Sequence, residues 1–123
     1  MKKTSEILKA RLQDAGLRYW AGDNISEIMQ KGDKEDLIEE LTVKFEDVLD
    51  SLVIDRHTDP NSMDTGRRLA KMYVNELMSG RYDPAPSATA FPNEPDNVTN
   101  EKYEGMLVVR SELTSICSHH HQP

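Results

Sequence analysis

The chain has little of what secreted and membrane-spanning proteins need. It holds a single cysteine in 123 residues, so an internal disulfide is excluded and a reducing cytoplasm is favoured. No apolar run approaches the roughly 20 residues that a membrane helix requires. The first residues include a pair of lysines, but no apolar segment follows them as it would in a secretory signal. We therefore expect a cytoplasmic protein with no membrane partner.

Basic residues are also scarce, with 15 Lys and Arg against 22 Asp and Glu and a formal net charge of −7. Phosphate contacts in nucleic-acid binding need clustered cations, so no nucleic-acid partner is expected. The negative net charge repels anions, so an anionic substrate would need a local basic pocket to bind. The length suits one modest domain.

Most of the regular structure that the pattern predicts is helical. The predicted helices cover residues 4–20, 25–32, 33–55 and 65–78. In the third, apolar residues recur at 3-4-3-4 spacing from Ile38 to Leu52, and Asp33 is placed to cap the start. Gly16 is placed to end or weaken the first helix, and Gly80 is a candidate for the position after the last one.

The last third of the chain predicts a loop and then a strand. Residues 81–105 carry four prolines among polar residues, which is typical of a long loop. Residues 105–117 are rich in β-forming side chains, and alternation places Val109, Leu113 and Cys117 on one face. A lone strand cannot satisfy its own backbone hydrogen bonds. We expect it to open a sheet whose other strands are missing or come from a partner.

A cluster of cysteine and histidine follows that strand. Cys117 and His120 form C-x-x-H, a spacing that can present a thiolate and an imidazole to one zinc ion. Two ligands do not complete a site, and the neighbouring His119 and His121 point elsewhere, where one could act as an acid or base. The same cluster could be the remnant of a purification tag or a chance arrangement.

The predicted helix 65–78 carries three cations in its first turns. Arg67, Arg68 and Lys71 oppose the helix dipole there, which a bound anion such as phosphate would explain. Arg68 and Lys71 share a face by their i, i+3 spacing, and Arg67 points away. The alternative is a solvated basic face that pairs with carboxylates of this acidic chain.

Taken together, the two motifs resemble GTP cyclohydrolase I. That family carries a T-P-x-R-x-A-K-M helix and then a strand ending in C-x-H-H. Residues 65–72 read T-G-R-R-L-A-K-M here, and residues 117–120 read C-S-H-H. The motif regions cover about a third of the chain, in the family's order. Gly66 replaces the usual proline, which should loosen the helix start, and Ser118 replaces a usual acidic residue.

The resemblance implies an α+β fold. A helical N-terminal region, residues 1–54, would precede the first part of a tunnelling-fold (T-fold) domain, residues 55–123, with the start of its antiparallel sheet. In the family, the sheets of neighbouring subunits join into a barrel within a toroidal decamer, so a homo-oligomer is expected. The family's third zinc ligand and guanine anchor lie further downstream. The resemblance therefore implies a truncated, N-terminal half.

The implied activity is zinc-dependent hydrolysis of GTP, at a cyclic amidine C–N bond, to 7,8-dihydroneopterin triphosphate and formate. Such a product feeds tetrahydrofolate, tetrahydrobiopterin or 7-deazaguanine synthesis. Cys117 and His120 would bind zinc, His119 would transfer a proton at the purine ring, and Arg68 and Lys71 would bind the triphosphate. We expect the 123-residue chain to be inactive alone. The alternatives are a non-catalytic fragment, or a helical interaction module, that pairs with a full-length subunit.

Overall fold

The computed structural model describes residues 2–90, 92 and 104–123, and this part of the chain contains four α-helices. They are α1 (Thr4–Asp14), α2 (Asp33–Ser51), α3 (Thr65–Met72) and α4 (Ser79–Tyr82). A 3-10 turn (Ser26–Ile28) precedes α2, and a π-helical segment (Tyr73–Leu77) joins α3 to α4. None of these helices has the length and apolar character needed to cross a membrane.

Helix α1 is shorter than the predicted 4–20, and the prediction that Gly16 ends it is confirmed, because Gly16 adopts a left-handed conformation with φ of 67°. The Gly16 amide donates to the Gln13 oxygen at 3.1 Å and the Leu17 amide to the Leu12 oxygen at 2.9 Å, which is the Schellman pattern. Two leucines of α1, Leu8 and Leu12, are buried. Gly16 therefore ends the helix six residues before the predicted limit at residue 20.

Helix α2 confirms the strongest periodic signal over most of its length. Ile38 is buried, and Leu41 and Phe45 pack at the edge of the core. Further along, the buried residue is Leu49, while Val48 is 51% exposed. The apolar face thus drifts around the helix, as a period of 3.6 residues requires when the sequence pattern repeats every 3.5.

Asp33 does not cap α2, contrary to the sequence prediction. Gly32 occupies the capping position in a left-handed conformation, with φ of 91° and no side-chain cap. The Asp33 carboxylate instead forms an ion pair with Arg11 of α1 at 2.5 Å and accepts the Gln30 amide at 2.7 Å. The acid is used to hold α1 against the start of α2.

The core lies where α1, α2 and the α3 region meet. Its buried cluster consists of Leu8, Leu37, Ile38, Ala70 and Val74. The approach of α3 to α2 is close at Gly66, where a Cβ would fall 2.7 Å from Cγ of Glu46. Gly66 therefore permits the close crossing of the two helices.

The predicted helix 65–78 is confirmed as a helical stretch, but its second half is π-helical. The Met78 amide donates to the Tyr73 oxygen at 2.9 Å, which spans five residues. The Tyr73 ring stacks on Phe45 of α2, with 5.2 Å between ring centroids. Gly80, a candidate for the position after this helix, lies inside α4 instead.

The predicted α+β fold is wrong for the described residues, which contain helices and no strand. Residues 105–117, the expected opening strand, form no helix or sheet. Their apolar side chains are left in solvent, with Leu107 82% and Leu113 91% exposed. The physical reason is that a strand needs a second strand to pair with its backbone hydrogen-bonding groups, and the described part of the chain contains none.

The remaining predictions on chain organisation are only partly covered. In the predicted loop 81–105, Arg81 and Tyr82 belong to α4, contrary to the prediction, and residues 83–90 lie outside helices as the proline-rich pattern predicts. The predictions for residues 91 and 93–103 lie outside the described residues. The division into residues 1–54 and 55–123 stays a prediction.

Candidate functional site

The cysteine and histidine cluster forms a closed turn. The His121 amide donates to the Cys117 carbonyl oxygen at 2.8 Å, and the Cys117 amide donates to the Gln122 oxygen at 2.9 Å. His121 adopts a left-handed backbone conformation, with φ of 55°. Residues 117–122, hereafter the Cys117 turn, therefore have a defined shape despite their position at the surface.

The Cys117 sulfur accepts hydrogen bonds from backbone amides of its own turn. The His119 amide donates to Sγ at 3.3 Å, and Nδ1 of the His119 ring lies 3.8 Å from the same atom. Hydrogen bonds from the amides of His119 and His120 lower the thiol pKa from its ordinary value of 9.0. The thiol is exposed, so it is open to reagents and to metal ions.

The three imidazoles of the turn are exposed but differ in what they contact. The rings of His119 and His120 lie 6.4 Å apart, centroid to centroid. The His121 ring lies 6.0 Å from the Tyr73 ring, at an interplanar angle of 48°. Among the described residues, no hydrogen bond joins the Cys117 sulfur to the His120 ring, whereas His119 is directly beside it.

A surface pocket of about 240 Å³ lies between the Cys117 turn and the helical body. Its walls include Cys117 and His121 on one side and Met78, Ala21 and Gly22 on the other. Met78 follows the π-helical segment directly. The turn is thus seated against the end of that segment and against the loop after α1.

The donor set of the turn suits zinc in kind but not in number. Thiolate and neutral imidazole are the ligands that zinc prefers, and the lowered thiol pKa favours the thiolate. A catalytic zinc needs three protein ligands. Within the part of the chain that the structure describes, no group of three His, Cys, Asp or Glu side chains could hold a metal ion. Zinc binding by Cys117 and His120 therefore stays a prediction.

The three cations of α3 have different surroundings. Arg67 donates to Glu39 of α2 at 2.7 Å, so its charge is already neutralised. Arg68 pairs with Asp64 at 3.6 Å and with no other carboxylate among the described residues, and its side chain is 75% exposed. Lys71 is exposed and has no ion-pair partner among residues 2–90, 92 and 104–123. Arg68 and Lys71 are thus available to an anion, and Arg67 is not.

The predicted site residues form two groups, and within the described structure no hydrogen bond, ion pair or ring contact joins one group to the other. One is the Cys117 turn, with the sulfur beside His119, and the other is the exposed side of α3 with Arg68 and Lys71. The link between them is Tyr73, which lies two residues after Lys71 and contacts His121. The described geometry therefore does not by itself assemble a catalytic centre.

Sequence reasoning missed the residues that seat the turn. Sequence reasoning does not single out Tyr73, and it offers His121 only as one of two candidates for an acid or base. Met78 was not singled out. No local sequence signal marks the π-helical segment that places Tyr73 and Met78. The closing of the turn through a left-handed His121 depends on contacts that periodicity does not contain.

No protein-family model matches the chain, and no solved structure matches it. A GTP cyclohydrolase 1 from Photobacterium profundum is 30% identical over 122 residues, or 98% of this chain and 50% of that protein. A GTP cyclohydrolase 1 from Shewanella denitrificans is 43% identical over 65 residues, or 51% of this chain and 27% of that protein. One from Aeromonas salmonicida is 39% identical over 75 residues, covering 59% and 31%.

The chain thus spans half or less of the length of these curated relatives. The similarity nevertheless extends over nearly the whole of this chain in one case. It supports a relationship to GTP cyclohydrolase I, a class of hydrolases.

Proposed function

We propose that the chain supplies the N-terminal half of a GTP cyclohydrolase I, an enzyme that hydrolyses GTP to 7,8-dihydroneopterin triphosphate and formate. The observation that carries the proposal is the Cys117 turn, which displays an exposed thiol of lowered pKa beside exposed imidazoles. The 30% identity over 122 residues with a protein of that name supports it.

Cys117 and His120 are the residues proposed to hold zinc. The amides of the turn stabilise the thiolate, which is the form that ligates a metal. His120 is exposed and three residues away in the same turn. Zinc bound at such a site supplies activation of water at neutral pH. A further protein ligand has to join these two, because a catalytic zinc needs three.

His119 is the residue proposed to transfer protons to the purine ring. An imidazole changes its protonation state near neutral pH, which suits general acid and base catalysis. Nδ1 of His119 lies 3.8 Å from the Cys117 sulfur, so its ring is next to the proposed metal ligand. A guanine ring held near the sulfur would then be within reach of this imidazole.

Arg68 and Lys71 are the residues proposed to bind the triphosphate. Both are exposed, and within the described part of the chain Arg68 forms one ion pair, a long one to Asp64 at 3.6 Å. Ion pairs as exposed as this one contribute little, so a phosphate can displace the carboxylate. They give an acidic chain the local cationic site that an anionic substrate requires.

The complete enzyme is proposed to be a homo-oligomer in which residues 1–54 form a helical N-terminal region. We expect the 123-residue chain by itself to show no measurable conversion of GTP. It contains one cysteine, and its described residues offer no group of three metal ligands. Turnover can be followed by pterin fluorescence after oxidation. Clear product formation by this chain alone would contradict the expectation.

Cobalt(II) titration tests the metal site, because thiolate ligation to cobalt gives a charge-transfer absorption band. We expect the chain to bind Co²⁺ with this band and Cys117→Ser to lose it. His120→Ala should weaken binding by about tenfold or more, since one of two direct ligands is removed. His57→Ala, which alters the one histidine outside the turn, is the control. Equal binding by Cys117→Ser and the unchanged chain would refute the site.

GTP binding tests the phosphate site. Arg68→Ala and Lys71→Ala should each weaken GTP affinity by about tenfold, because a charge-assisted hydrogen bond is lost. Arg67→Ala is the matched control, since its charge is already paired with Glu39. Isothermal titration calorimetry at low salt measures the GTP affinity of each of the three variants. A loss in Arg67→Ala as large as in Arg68→Ala would argue against the assignment.

A non-catalytic module that pairs with a longer subunit is the second candidate. The observation that favours it is the exposed apolar tail, in which Leu107, Val109 and Leu113 are 82%, 78% and 91% exposed. Pairing would remove these side chains from water. Size-exclusion chromatography of the chain mixed with full-length Photobacterium profundum protein tests it. Co-elution would favour this candidate, and separate elution would count against it.

A further inference from the structure

Three aromatic rings connect helix α2 to the Cys117 turn. Tyr73 stacks on Phe45 of α2, with ring centroids 5.2 Å apart and planes inclined by 29°. The His121 ring lies 6.0 Å from Tyr73 on the way to the surface. Both separations are within the range in which aromatic rings attract one another. His121 therefore lies at the outer end of a continuous packed path from α2.

The backbone of His121 also closes the turn. Its φ of 55° is left-handed, a conformation that most side chains disfavour but that Asn, Asp and His adopt more often than other non-glycine residues. From this conformation its amide reaches the Cys117 oxygen at 2.8 Å. One residue thus fixes both the shape of the turn and its contact with Tyr73.

The π-helical segment places the two residues, Tyr73 and Met78, against which the Cys117 turn packs. Its closing hydrogen bond runs from the Met78 amide to the Tyr73 oxygen, so these two residues mark its ends. Tyr73 meets the His121 ring, and Met78 lines the pocket whose other wall includes Cys117. In this π-helical segment the hydrogen bond joins residues five apart, whereas in an α-helix it joins residues four apart. The difference changes the direction of Met78 relative to Tyr73. Such segments are frequent at functional sites.

We propose that His121 is the positioning residue of the Cys117 turn, docking the turn on Tyr73 so that the Cys117 thiol and the rings of His119 and His120 are presented from a fixed place. His121 is not a metal ligand in this scheme. The consequence for metal binding rests on the proposed function, whereas the docking contact itself does not. The contact also ties the turn to the helix that carries Arg68 and Lys71.

Proton NMR of the histidine rings tests the docking without any metal. His121→Asn assigns the His121 signals, and asparagine still tolerates the left-handed backbone. In Tyr73→Leu the His121 ring signals should shift towards those of the unfolded chain, because the ring current of Tyr73 is lost. The His57 signals should stay in place. If Tyr73→Leu does not fold, the shift of the Tyr73 ring signals in His121→Asn gives the same information. His121 and Tyr73 signals that are unchanged in these variants would overturn the proposal.

Cobalt(II) affinity then tests the consequence for the site. His121→Asn and Tyr73→Leu should each weaken Co²⁺ binding by about threefold to tenfold, the size expected for one aromatic contact. Tyr73→Phe keeps the ring and should bind as the unchanged chain does. The double variant should be no weaker than either single one, because both remove the same contact.

The outcomes separate this inference from the proposed function. Loss of affinity in His121→Asn with none in Tyr73→Leu would make His121 a direct ligand and overturn the positioning role. Absence of any Co²⁺ binding by the unchanged chain would refute the proposed metal site. The ring signals of His121 and Tyr73 would still decide whether the turn is docked.

Discussion

Gly66 of α3 and Glu46 of α2 lie so close that a Cβ on the glycine would be 2.7 Å from Cγ of the glutamate and 3.1 Å from the Thr42 carbonyl oxygen. Glu46 cannot move away without cost, because its carboxylate accepts a hydrogen bond from Arg56 at 2.6 Å. The sequence suggested that Gly66 loosens the start of its helix. The structure shows that it allows α3 to pack tightly on α2.

Gly66→Ala should therefore destabilise the chain. Overpacking costs about 1–3 kcal/mol, and the better helix propensity of alanine offsets about 1 kcal/mol of this. We expect a net loss of up to about 2 kcal/mol in the free energy of unfolding, measured by urea denaturation. Gly80→Ala is the matched control, since a Cβ there meets nothing within 4 Å. A stability gain in Gly66→Ala equal to that in Gly80→Ala would show that the crossing is not tight.

Arg81 holds the loop after α1 through its guanidinium group. It donates to the carbonyl oxygens of Trp20 at 2.7 Å, Asp23 at 3.0 Å and Tyr19 at 3.3 Å. Lysine has no planar fork of donors and cannot reach these oxygens together. Arg81→Lys should lower the free energy of unfolding by about 1–2 kcal/mol.

The single tryptophan, Trp20, reports on this loop directly. It is 69% exposed and is covered by Arg18, whose Cζ lies 4.1 Å from the ring centroid. Its fluorescence anisotropy should fall in Arg81→Lys as the loop gains freedom. Arg67→Lys, at an exposed ion pair, should leave both stability and anisotropy nearly unchanged. Equal behaviour of the two variants would contradict the role of Arg81.

Stability should decrease in acid. A hydrogen bond from the Thr58 hydroxyl lowers the pKa of Asp55 below its ordinary 3.8, and one from the Ser62 hydroxyl does the same for Asp59. A depressed carboxyl pKa contributes stability that is present above the unfolded pKa and is lost as pH falls through the folded one. The urea midpoint should be flat from pH 7 to about 5 and fall below about pH 4. A midpoint that rises between pH 5 and pH 3 would contradict this.

The Cys117 thiol should react faster in the folded chain than in the unfolded one. The amides of His119 and His120 lower its pKa from 9.0, so more thiolate is present at pH 7.5. Alkylation by iodoacetamide, followed by mass spectrometry, measures the rate at the chain's one cysteine. The urea-unfolded chain is the reference. A slower rate in the folded state would show that the turn does not activate the sulfur.

Periodicity predicted the two helices that form the main contact, because burial of one helical face leaves a regular trace in the sequence. Ile38, which begins the 3-4-3-4 pattern of α2, is buried as expected. The predicted strand failed because β-structure depends on a partner that the pattern of one segment does not contain. The residues proposed to bind zinc and phosphate were identified from motif spacing. Such spacing specifies which residue types occur along the sequence, but it does not specify the distances between their side chains in the fold.

The amino-acid sequence by itself determined that helices form in the regions of α1, α2 and α3, since helix propensity and spacing are local properties. It also determined that one cysteine is followed by three histidines. The tertiary structure decided how these features are used. It paired Arg67 with Glu39 and left Arg68 and Lys71 exposed, and it paired Asp33 with Arg11 instead of with its own helix end. It also seated His121 on Tyr73. Such pairings join residues distant in sequence, so only the packing of the helices could determine them.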